Sequence, residues 1–276
     1  MDLGLSGKTV VVTGSSGGLG RGLVLAFVEE GCNVVLADPD VAQGERIAEQ
    51  LGARRDQILV LGTDVTQPNA VDELVVRTLD HFSRIDVLVN NAGGGSQQQS
   101  FIDKELAEIH REIELNVWGV VHCTRAVGAH LLDQGSGAIV NIASNAAVLG
   151  EAAVQVENYG AAKGYVVALS RGLANSWGPQ GVRVNCIAPG WIVPHSEDHV
   201  GKGSFWPRFG YEAFGSLAEL ETQAERGALP SVQDQPIRKL GRPEDIANLT
   251  LFLASDRVAG HVTGQLISVS GGAYMP

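Results

Sequence analysis

Cysteine is scarce in this chain, which has 276 residues and three cysteines, Cys32, Cys123 and Cys186. The number is odd and no pair has the spacing of metal ligands, which argues against a disulfide framework and a cysteine-based zinc site. All three lie in apolar or helical contexts. They are therefore predicted to be free thiols packed in a core, in a reducing compartment.

The sequence also has no long apolar run and few positively charged residues. The first eight residues are polar, unlike a signal peptide, and the apolar runs are far shorter than a membrane span. The 20 lysines and arginines face 31 acidic residues, a net charge of −11, whereas nucleic acid requires a basic face. We expect a cytoplasmic protein without a membrane or nucleic-acid partner. A hydrophobic content of 44% suits one core, so residues 1–276 are predicted to form a single domain.

Glycine, in contrast, is abundant, with 35 residues that fall mostly in short turns. These turns separate apolar runs from stretches with helical periodicity, an alternation typical of parallel strands joined by helical crossovers. The sequence thus predicts an α/β fold, a Rossmann-like doubly wound parallel sheet of about seven strands with helices on both faces. Strands are expected at residues 8–13, 33–37, 58–61, 86–89, 137–143, 182–187 and 266–269.

One stretch, residues 191–238, interrupts this alternation. It carries aromatic residues among glycines, prolines and charges, and a helix is expected only at 217–226. Long irregular insertions in compact domains are commonly functional, so we interpret this stretch as a lid over a substrate site. The alternatives are a packed surface excursion and a subunit contact.

The first predicted strand leads into a glycine turn, Thr13-Gly14-Ser15-Ser16-Gly17-Gly18-Leu19-Gly20, which opens a helix. Such a turn lets backbone amides and a helix N-terminus hold a pyrophosphate. The expected cofactor contacts are Gly14, Ser16, Gly18, Leu19 and Gly20. A glycine turn alone is a weak signal, because structural turns also use glycine.

Asp38 strengthens the prediction, because it ends the second strand about 20 residues after the turn, where an acid binds a ribose diol. Its carboxylate would repel the 2′-phosphate of NADP. The nearby positions lack a basic side chain for that phosphate, being Ser15, Ser16, Pro39 and Asp40. NAD is therefore the expected cofactor. The alternative is that Asp38 only begins a turn before Pro39.

Tyr159 and Lys163 are four residues apart in a helical stretch and share one face. A phenol is a weak acid with a reference pKa of about 10, and a nearby ammonium lowers that pKa. The pair could therefore exchange the proton that accompanies a hydride transfer. Ser144 follows a strand end, where its hydroxyl could hold a substrate oxygen, and Asn116 lies in a helical stretch where a buried amide requires partners.

These motifs together resemble the short-chain dehydrogenase/reductase family over nearly the whole chain. The resemblance rests on the order and spacing of Thr13-Gly-x-x-x-Gly18-x-Gly20, Asp64-Val65, Asn90-Asn91-Ala92-Gly93, Asn116, Ser144, Tyr159-x-x-x-Lys163 and Pro189-Gly190.

The resemblance implies roles for individual residues. Tyr159 would be the acid/base, Lys163 would hold the nicotinamide ribose and lower the Tyr159 pKa, and Ser144 would bind the substrate oxygen. Asn116 would help hold a water in a proton relay. The further cofactor contacts implied are Asp64 and Val65 at adenine, Asn91 at the adenosine ribose, Gly93 in the same motif, and Pro189, Gly190 and Ile192 on the nicotinamide side.

The chain departs from the family at Pro194, where many members have a threonine that contacts the cofactor. Proline offers neither a hydroxyl nor an N–H. The contacts to the nicotinamide carboxamide are therefore expected to be weaker or to come from other groups. The first turn of the lid is expected to follow a different backbone path from that of other members.

Residues Gly93-Gly94-Gly95-Ser96 resemble a glycine run of bacterial hydroxysteroid dehydrogenases and could leave room beside the nicotinamide. With the aromatic lid, they predict a bulky cyclic, aromatic or steroid-like substrate. The candidate pocket walls are Val148, Leu149, Val154, Trp191 and Trp206. Aromatic lids also simply pack on their own sheet.

Two other functions stay open. A 3-oxoacyl or 3-hydroxyacyl thioester would need a basic entrance, for which the candidates are Arg208, Arg226, Arg238 and Lys239. A dinucleotide-binding protein without turnover is the other, although it would be expected to have lost Tyr159 or Lys163.

No metal is expected, because His195 and His199 follow Pro194 and would align only on a helix. A homotetramer, or a homodimer, is expected from small and apolar residues on several faces of 116–132 and 157–177, helices that pair subunits in the family. The alternative is that both helices are simply buried on the sheet.

Overall fold

The computed structural model describes residues 1–95, 99–149, 156–201, 215–229, 233 and 235–275. These residues form a seven-stranded sheet in which every pair of neighbours is parallel. The strands are β1 Thr9–Thr13, β2 Asn33–Ala37, β3 Ile58–Leu61, β4 Val87–Asn90, β5 Gly137–Ile142, β6 Val182–Pro189 and β7 Leu266–Val269. The predicted fold class is confirmed, with no strand end displaced by more than about two residues, the usual uncertainty of such boundaries.

The helices lie between the strands, as the predicted crossovers require. They are α1 Gly18–Glu29, α2 Val41–Gln50, α3 Pro68–Phe82, α4 Leu106–Ile113, α5 Gly119–Gln134, α6 Glu157–Trp177, α7 Leu217–Glu225, α8 Pro243–Ala254 and α9 Asp256–Ala259. A π-helical turn, Glu114–Trp118, joins α4 to α5. None of the described helices has the combination of length and apolar character that a membrane span needs.

The sheet is covered on both faces because side chains alternate along each strand. Val10 and Val12 pack into a core with Phe27 of α1, whereas Val11, between them, packs into the opposite core with Leu131 of α5. Most of the strand side chains are fully buried, so the sheet is a rigid platform for the loops at its ends.

The strand order is β3-β2-β1-β4-β5-β6-β7. The chain first builds outward from β1 to β3 and then crosses to β4, on the other side of β1. In open parallel sheets such a reversal leaves a crevice at the carboxyl ends of the two strands, where ligands bind. The glycine turn after β1 and the loop after β4 both lie at this position.

Only part of the predicted lid lies within the described residues, because 202–214, 230–232 and 234 fall outside them. The expected helix is present as α7, which begins with a capping box in which Ser216 and Glu219 bond each other's backbone amides. Its Leu217 and Leu220 pack with Val193 and the partly buried Trp191 in a small separate cluster. The described part of this stretch therefore has a core of its own beside the sheet.

Candidate active site

The glycine turn after β1 is shaped by close backbone contacts. Gly14 has a φ of +61°, and a Cβ there would lie 2.8 Å from Ala92 Cα. A Cβ on Gly20 would lie 2.0 Å from the Gly14 oxygen. Gly18, at the start of α1, has a φ of +50°, and no described atom lies within 4 Å of the place that a Cβ would take. The turn is therefore tight on its inner side and open above the N-terminus of α1, where an anion is favoured.

The segment of residues 196–201 lies beside this turn. A Cβ on Gly17 would be only 2.1 Å from the backbone nitrogen of Gly201, and the Gln43 side chain donates a hydrogen bond to the Asp198 carbonyl at 3.3 Å. The first part of the predicted lid therefore contacts both the glycine turn and α2.

Asp38 lies at the end of β2, where the sequence predicts it. Its two carboxylate oxygens accept hydrogen bonds from the Ser16 amide, at 3.0 Å, and from the Asp40 amide, at 2.8 Å. The Ser16 hydroxyl donates to the Asp40 carbonyl at 3.1 Å. These bonds fix the carboxylate against the glycine turn and leave further lone pairs able to accept hydrogen bonds.

Asn91 joins the ends of the two central strands. Its side-chain amide donates to the carbonyls of Thr13 and Gly14, at 2.9 and 2.8 Å. Two residues predicted near the adenine follow β3: Asp64 is exposed and accepts bonds from Thr66, whereas Val65 is buried. The three positions lie on loops at the carboxyl edge of the sheet.

The Tyr159–Lys163 pair lies on the first turns of α6, and the Lys163 nitrogen is 5.7 Å from the centre of the Tyr159 ring. Lys163 is 3% exposed, and its ammonium donates to the Ile142 carbonyl at the end of β5, at 3.0 Å. Burial lowers the pKa of Lys163 to about 8, and the nearby Cys186 opposes this shift. The amine can therefore change charge near neutral pH.

The pKa of Tyr159 lies above its ordinary value. Burial raises the pKa of this phenol, the hydrogen bond with Ser144 lowers it, and the negative charge of Glu112 raises it. Desolvation disfavours the phenolate and is the largest of these effects. The environment of Tyr159 thus holds the proton on the phenol.

Asn116 lies in the π-helical turn and is fully buried. Its amide nitrogen donates to the Gly94 carbonyl at 2.8 Å and to the Glu112 carbonyl at 2.9 Å, and its oxygen accepts from the Gly94 amide at 3.1 Å. A Cβ on Gly93 would lie 2.8 Å from both the Asn116 oxygen and the Lys163 nitrogen. The loop after β4 is therefore bonded to Asn116 and packed directly against Lys163.

Ser144 follows β5 and caps a short 3₁₀ turn by accepting a bond from the Ala146 amide at 3.2 Å. Pro189 ends β6, and the Gly190 amide donates to the Val269 carbonyl at 3.0 Å. Ile192 pairs with Gly241 in an isolated parallel bridge. The predicted substrate-side and nicotinamide-side residues thus lie at strand ends on the same edge of the sheet.

Pro194 is held by a partner that the sequence does not reveal. The Arg242 guanidinium donates to the carbonyls of Val193 and Pro194, at 3.3 and 3.2 Å, and pairs with Glu221 of α7 at 2.6 Å. Arg242 therefore joins the end of the β6 segment to α7, and the chain around Pro194 is fixed by its carbonyls.

His195, considered above as a metal ligand, instead contacts Glu244 at 3.0 Å. Within the described ranges, no group of three or more potential ligands is arranged to hold a metal. Of the candidate pocket walls, Val148 is 39% exposed and Trp191 packs against the cluster under α7, whereas Val154 and Trp206 lie outside the described residues.

Sequence reasoning missed two residues near this site, Glu112 and Asn158, and the contact between Gly94 and Asn116. Gly94 forms two hydrogen bonds with Asn116, and Glu112 contacts Asn116 through its carbonyl. Asn158, beside Tyr159, donates to the Glu112 carboxylate at 2.6 Å. The spacing of Glu112 and Asn116, one helical turn apart, is the signal that could have indicated this contact.

The residues at the crevice fit a dinucleotide. The space above Gly18 faces the N-terminus of α1, and the Ser15 hydroxyl beneath it is buried without a hydrogen-bond partner in the described structure. Asp38 supplies a fixed carboxylate at the far end of the turn. A Cβ on Gly93 would lie 2.8 Å from the Lys163 nitrogen, so a glycine at this position leaves room for the amine.

Comparisons with known proteins agree with this arrangement. The profile of the short chain dehydrogenase family matches residues 8–202, and a profile described as enoyl-(acyl carrier protein) reductase matches 218–274. The chain is 36% identical over 272 residues, 98% of each protein, to the (2S)-[(R)-hydroxy(phenyl)methyl]succinyl-CoA dehydrogenase subunit BbsD of Thauera aromatica. It is 33% identical over 273 residues, again 98% of each, to a 3-oxoacyl-[acyl-carrier-protein] reductase of Synechocystis.

A solved structure is similar along nearly the whole chain. It is a 7α-hydroxysteroid dehydrogenase in complex with NADH and 7-oxo glycochenodeoxycholic acid, with 30% identity, a TM-score of 0.81, and coverage of 98% of this chain and 96% of that one. With the profile spanning more than half of the sequence, the chain belongs to the short-chain dehydrogenase/reductase family of oxidoreductases, which bind a nicotinamide dinucleotide.

Proposed function

We propose that this protein transfers a hydride between NAD(H) and a secondary alcohol or ketone, with Tyr159 as the acid/base. The observation that carries the proposal is the grouping of four side chains around the ends of β4 and β5, namely Tyr159, Lys163, Ser144 and Asn116. Among them, Lys163 is a buried amine with a pKa of about 8. A protein that only bound the dinucleotide would be expected to have lost Tyr159 or Lys163, and both are present.

The side chains have distinct tasks in this proposal. A bound nicotinamide supplies the two-electron exchange, and the protein handles the proton. Ser144 orients the substrate oxygen, and Tyr159 donates a proton to that oxygen in reduction or removes it in oxidation. Lys163 in its charged form stabilises the phenolate. Asn116 holds the loop at Gly94 and helps to fix a water between Lys163 and solvent.

The cofactor contacts expected from the sequence form the second part of the proposal. They are Gly14, Ser16, Gly18, Leu19, Gly20, Asp38, Asp64, Val65, Asn91, Gly93, Tyr159, Lys163, Pro189, Gly190 and Ile192. The fixed carboxylate of Asp38 supports NAD over NADP, because a 2′-phosphate would meet an anion that two backbone amides hold in place. The 7α-hydroxysteroid dehydrogenase that resembles this chain was solved with NADH.

A bulky, ring-containing alcohol is the proposed substrate class. Two relatives support it by their names: one acts on a hydroxy(phenyl)methyl group, which is a secondary alcohol bearing an aromatic ring, and the other on a steroid. The substrate in the name of the first relative is also a CoA thioester, and another relative is a 3-oxoacyl-[acyl-carrier-protein] reductase. An acyl thioester is therefore the second candidate, for which the exposed Lys239 and Arg226 offer positive charge.

Residues 191–238 are proposed to form the lid of this single domain. The contacts of 196–201 with the glycine turn and of Arg242 with α7 support this role. We also propose a homotetramer built on α5 and α6. Trp118, directly before α5, and Tyr165 of α6 are each 46% exposed and support contacts at these helices.

A cofactor and substrate screen tests the proposal. Reduction of NAD⁺ and NADP⁺ would be followed with cyclic, aromatic and steroid alcohols, 3-hydroxyacyl-CoA thioesters and small polyols. We expect NAD⁺-dependent turnover with ring-containing alcohols. A preference for polyols would refute the substrate class, a preference for NADP⁺ would refute the role of Asp38, and elution as a monomer in light scattering would refute the tetramer.

A further inference from the structure

A buried ion pair lies behind the proposed catalytic residues. The Lys104 ammonium is 3.6 Å from the Glu112 carboxylate, and the two side chains are 3% and 5% exposed. Removing two charges from water is costly, and an apolar pair of similar volume is often equally stable at such a position. A contribution to stability is therefore a poor explanation for this pair.

Glu112 contacts the two helices that carry the catalytic candidates. Its carboxylate accepts the Asn158 amide at 2.6 Å, and Asn158 directly precedes Tyr159 at the start of α6. Its backbone carbonyl, at the end of α4, accepts the Asn116 amide at 2.9 Å. One residue thus ties the Tyr159 turn of α6 to the π-helical turn that holds Asn116.

The charge of Glu112 also acts on Tyr159, because the carboxylate raises the pKa of the phenol. The charged and titratable groups around this centre include Lys163 on α6, Glu112 on α4, Lys104 before α4, and Cys186 on β6 beside Lys163. Of these, Glu112 is the anion that opposes ionisation of Tyr159.

We propose that the Glu112 side chain, held by Lys104, is a positioning group of the active site that sets where Tyr159 lies and tunes the proton transfer of Tyr159. The proposal rests on the proposed function. The Glu112 side chain acts in two ways that can be separated. The hydrogen bond from Asn158 requires an acceptor atom on this side chain, whereas the effect on Tyr159 requires its negative charge.

Two double variants separate these effects and remove both charges of the pair together. Lys104→Met/Glu112→Gln removes both charges and keeps an amide oxygen for Asn158. Lys104→Met/Glu112→Leu removes the charges and the acceptor together. Glu114→Gln, two residues further along the chain and exposed, is the control for a carboxylate-to-amide change outside the buried pair. Thermal unfolding with and without NADH shows that each variant is folded.

Steady-state oxidation of the best alcohol from the substrate screen is then followed against pH. Both double variants are expected to reach full kcat/KM at lower pH than the wild type, because the phenolate no longer faces the carboxylate. Only the leucine variant is expected to lose kcat, by a factor on the order of ten to a hundred, because Tyr159 is displaced. Glu114→Gln is expected to keep the wild-type profile.

Equal kcat values in the two double variants, or a pH profile that stays at the wild-type position in both, would overturn the proposal. Failure of the proposed function is recognised separately, because the wild-type protein itself would then show no dinucleotide-dependent turnover. In that case the substrate screen, and not the comparison of variants, would give the negative result.

Discussion

The substitution Gly93→Ala tests how closely the loop after β4 packs against the other residues of the site. A Cβ added by Gly93→Ala would lie 2.8 Å from the Asn116 oxygen and 2.8 Å from the Lys163 nitrogen, with the Lys163 Cε at 3.6 Å. Neither neighbour is free to move, because Lys163 donates to Ile142 and Asn116 is bonded to Gly94 and Glu112. Because the backbone of Gly93 has no positive φ, alanine is compatible with the chain conformation, and the contact is the principal perturbation.

The expected cost follows from this overlap. Relief of a contact this short requires a displacement of about half an ångström, and overpacking of a dense site typically costs about 1–3 kcal/mol of unfolding free energy. A similar displacement of catalytic groups lowers kcat by a factor on the order of ten to a hundred. We therefore expect Gly93→Ala to fold, with a moderate loss of stability and a large loss of kcat.

Gly172→Ala is the matched control, because it makes the same change on α6 at a position with no other described atom within 4 Å of the new Cβ. There, alanine should stabilise the helix by about 1 kcal/mol and leave kcat unchanged. The measurements are urea unfolding and steady-state kinetics. Wild-type kcat in Gly93→Ala would refute the claim that this loop, Asn116 and Lys163 are packed in direct contact.

Three further predictions address the cofactor, the buried lysine and the lid. Asp38→Ala is expected to lower the ratio of kcat/KM for NAD⁺ over NADP⁺, measured with one alcohol, because the repelling carboxylate is lost; an unchanged ratio would contradict the assigned role. Burial lowers the Lys163 pKa from 10.5 to about 8, so the unfolded chain binds more protons between those values and the stability of the wild type should gain a contribution as pH rises through this window. The free energy of unfolding of Lys163→Met, measured with urea at several pH values, should lack that contribution. The same pH dependence of this free energy in both proteins would refute the prediction. Arg242→Met, which removes the bonds to Pro194 and Glu221, should raise the KM of a bulky alcohol more than that of NAD⁺, and equal changes in both would argue against a lid role.

Much of the fold follows from local patterns. The valine-rich runs at β1 and β2 and the turns between them predict a parallel sheet, because buried parallel strands are apolar on both faces. The spacing of Tyr159 and Lys163 places both on one face of α6, and the strand end before Ser144 brings it to the same edge. These features depend on residues close in sequence, which is why a single sequence reveals them.

Other features depend on contacts between distant segments. Over five residues, apolar periodicity does not distinguish the π-helical turn at Asn116 from an α-helix. The pairing of Lys104 with Glu112 and the bond from Asn158 appear only once α4 packs on α6. The burial of Tyr159, which raises the pKa of its phenol, also cannot be read from a four-residue spacing.

The central claim is that Tyr159 transfers the proton, and Tyr159→Phe tests it most directly because the ring and its packing are kept while the hydroxyl is removed. NADH binding, followed by fluorescence titration, is expected to stay at the wild-type level. Turnover of the best alcohol is expected to fall by a factor on the order of a hundred to ten thousand, the usual contribution of an acid/base group. Wild-type turnover in Tyr159→Phe would contradict the account.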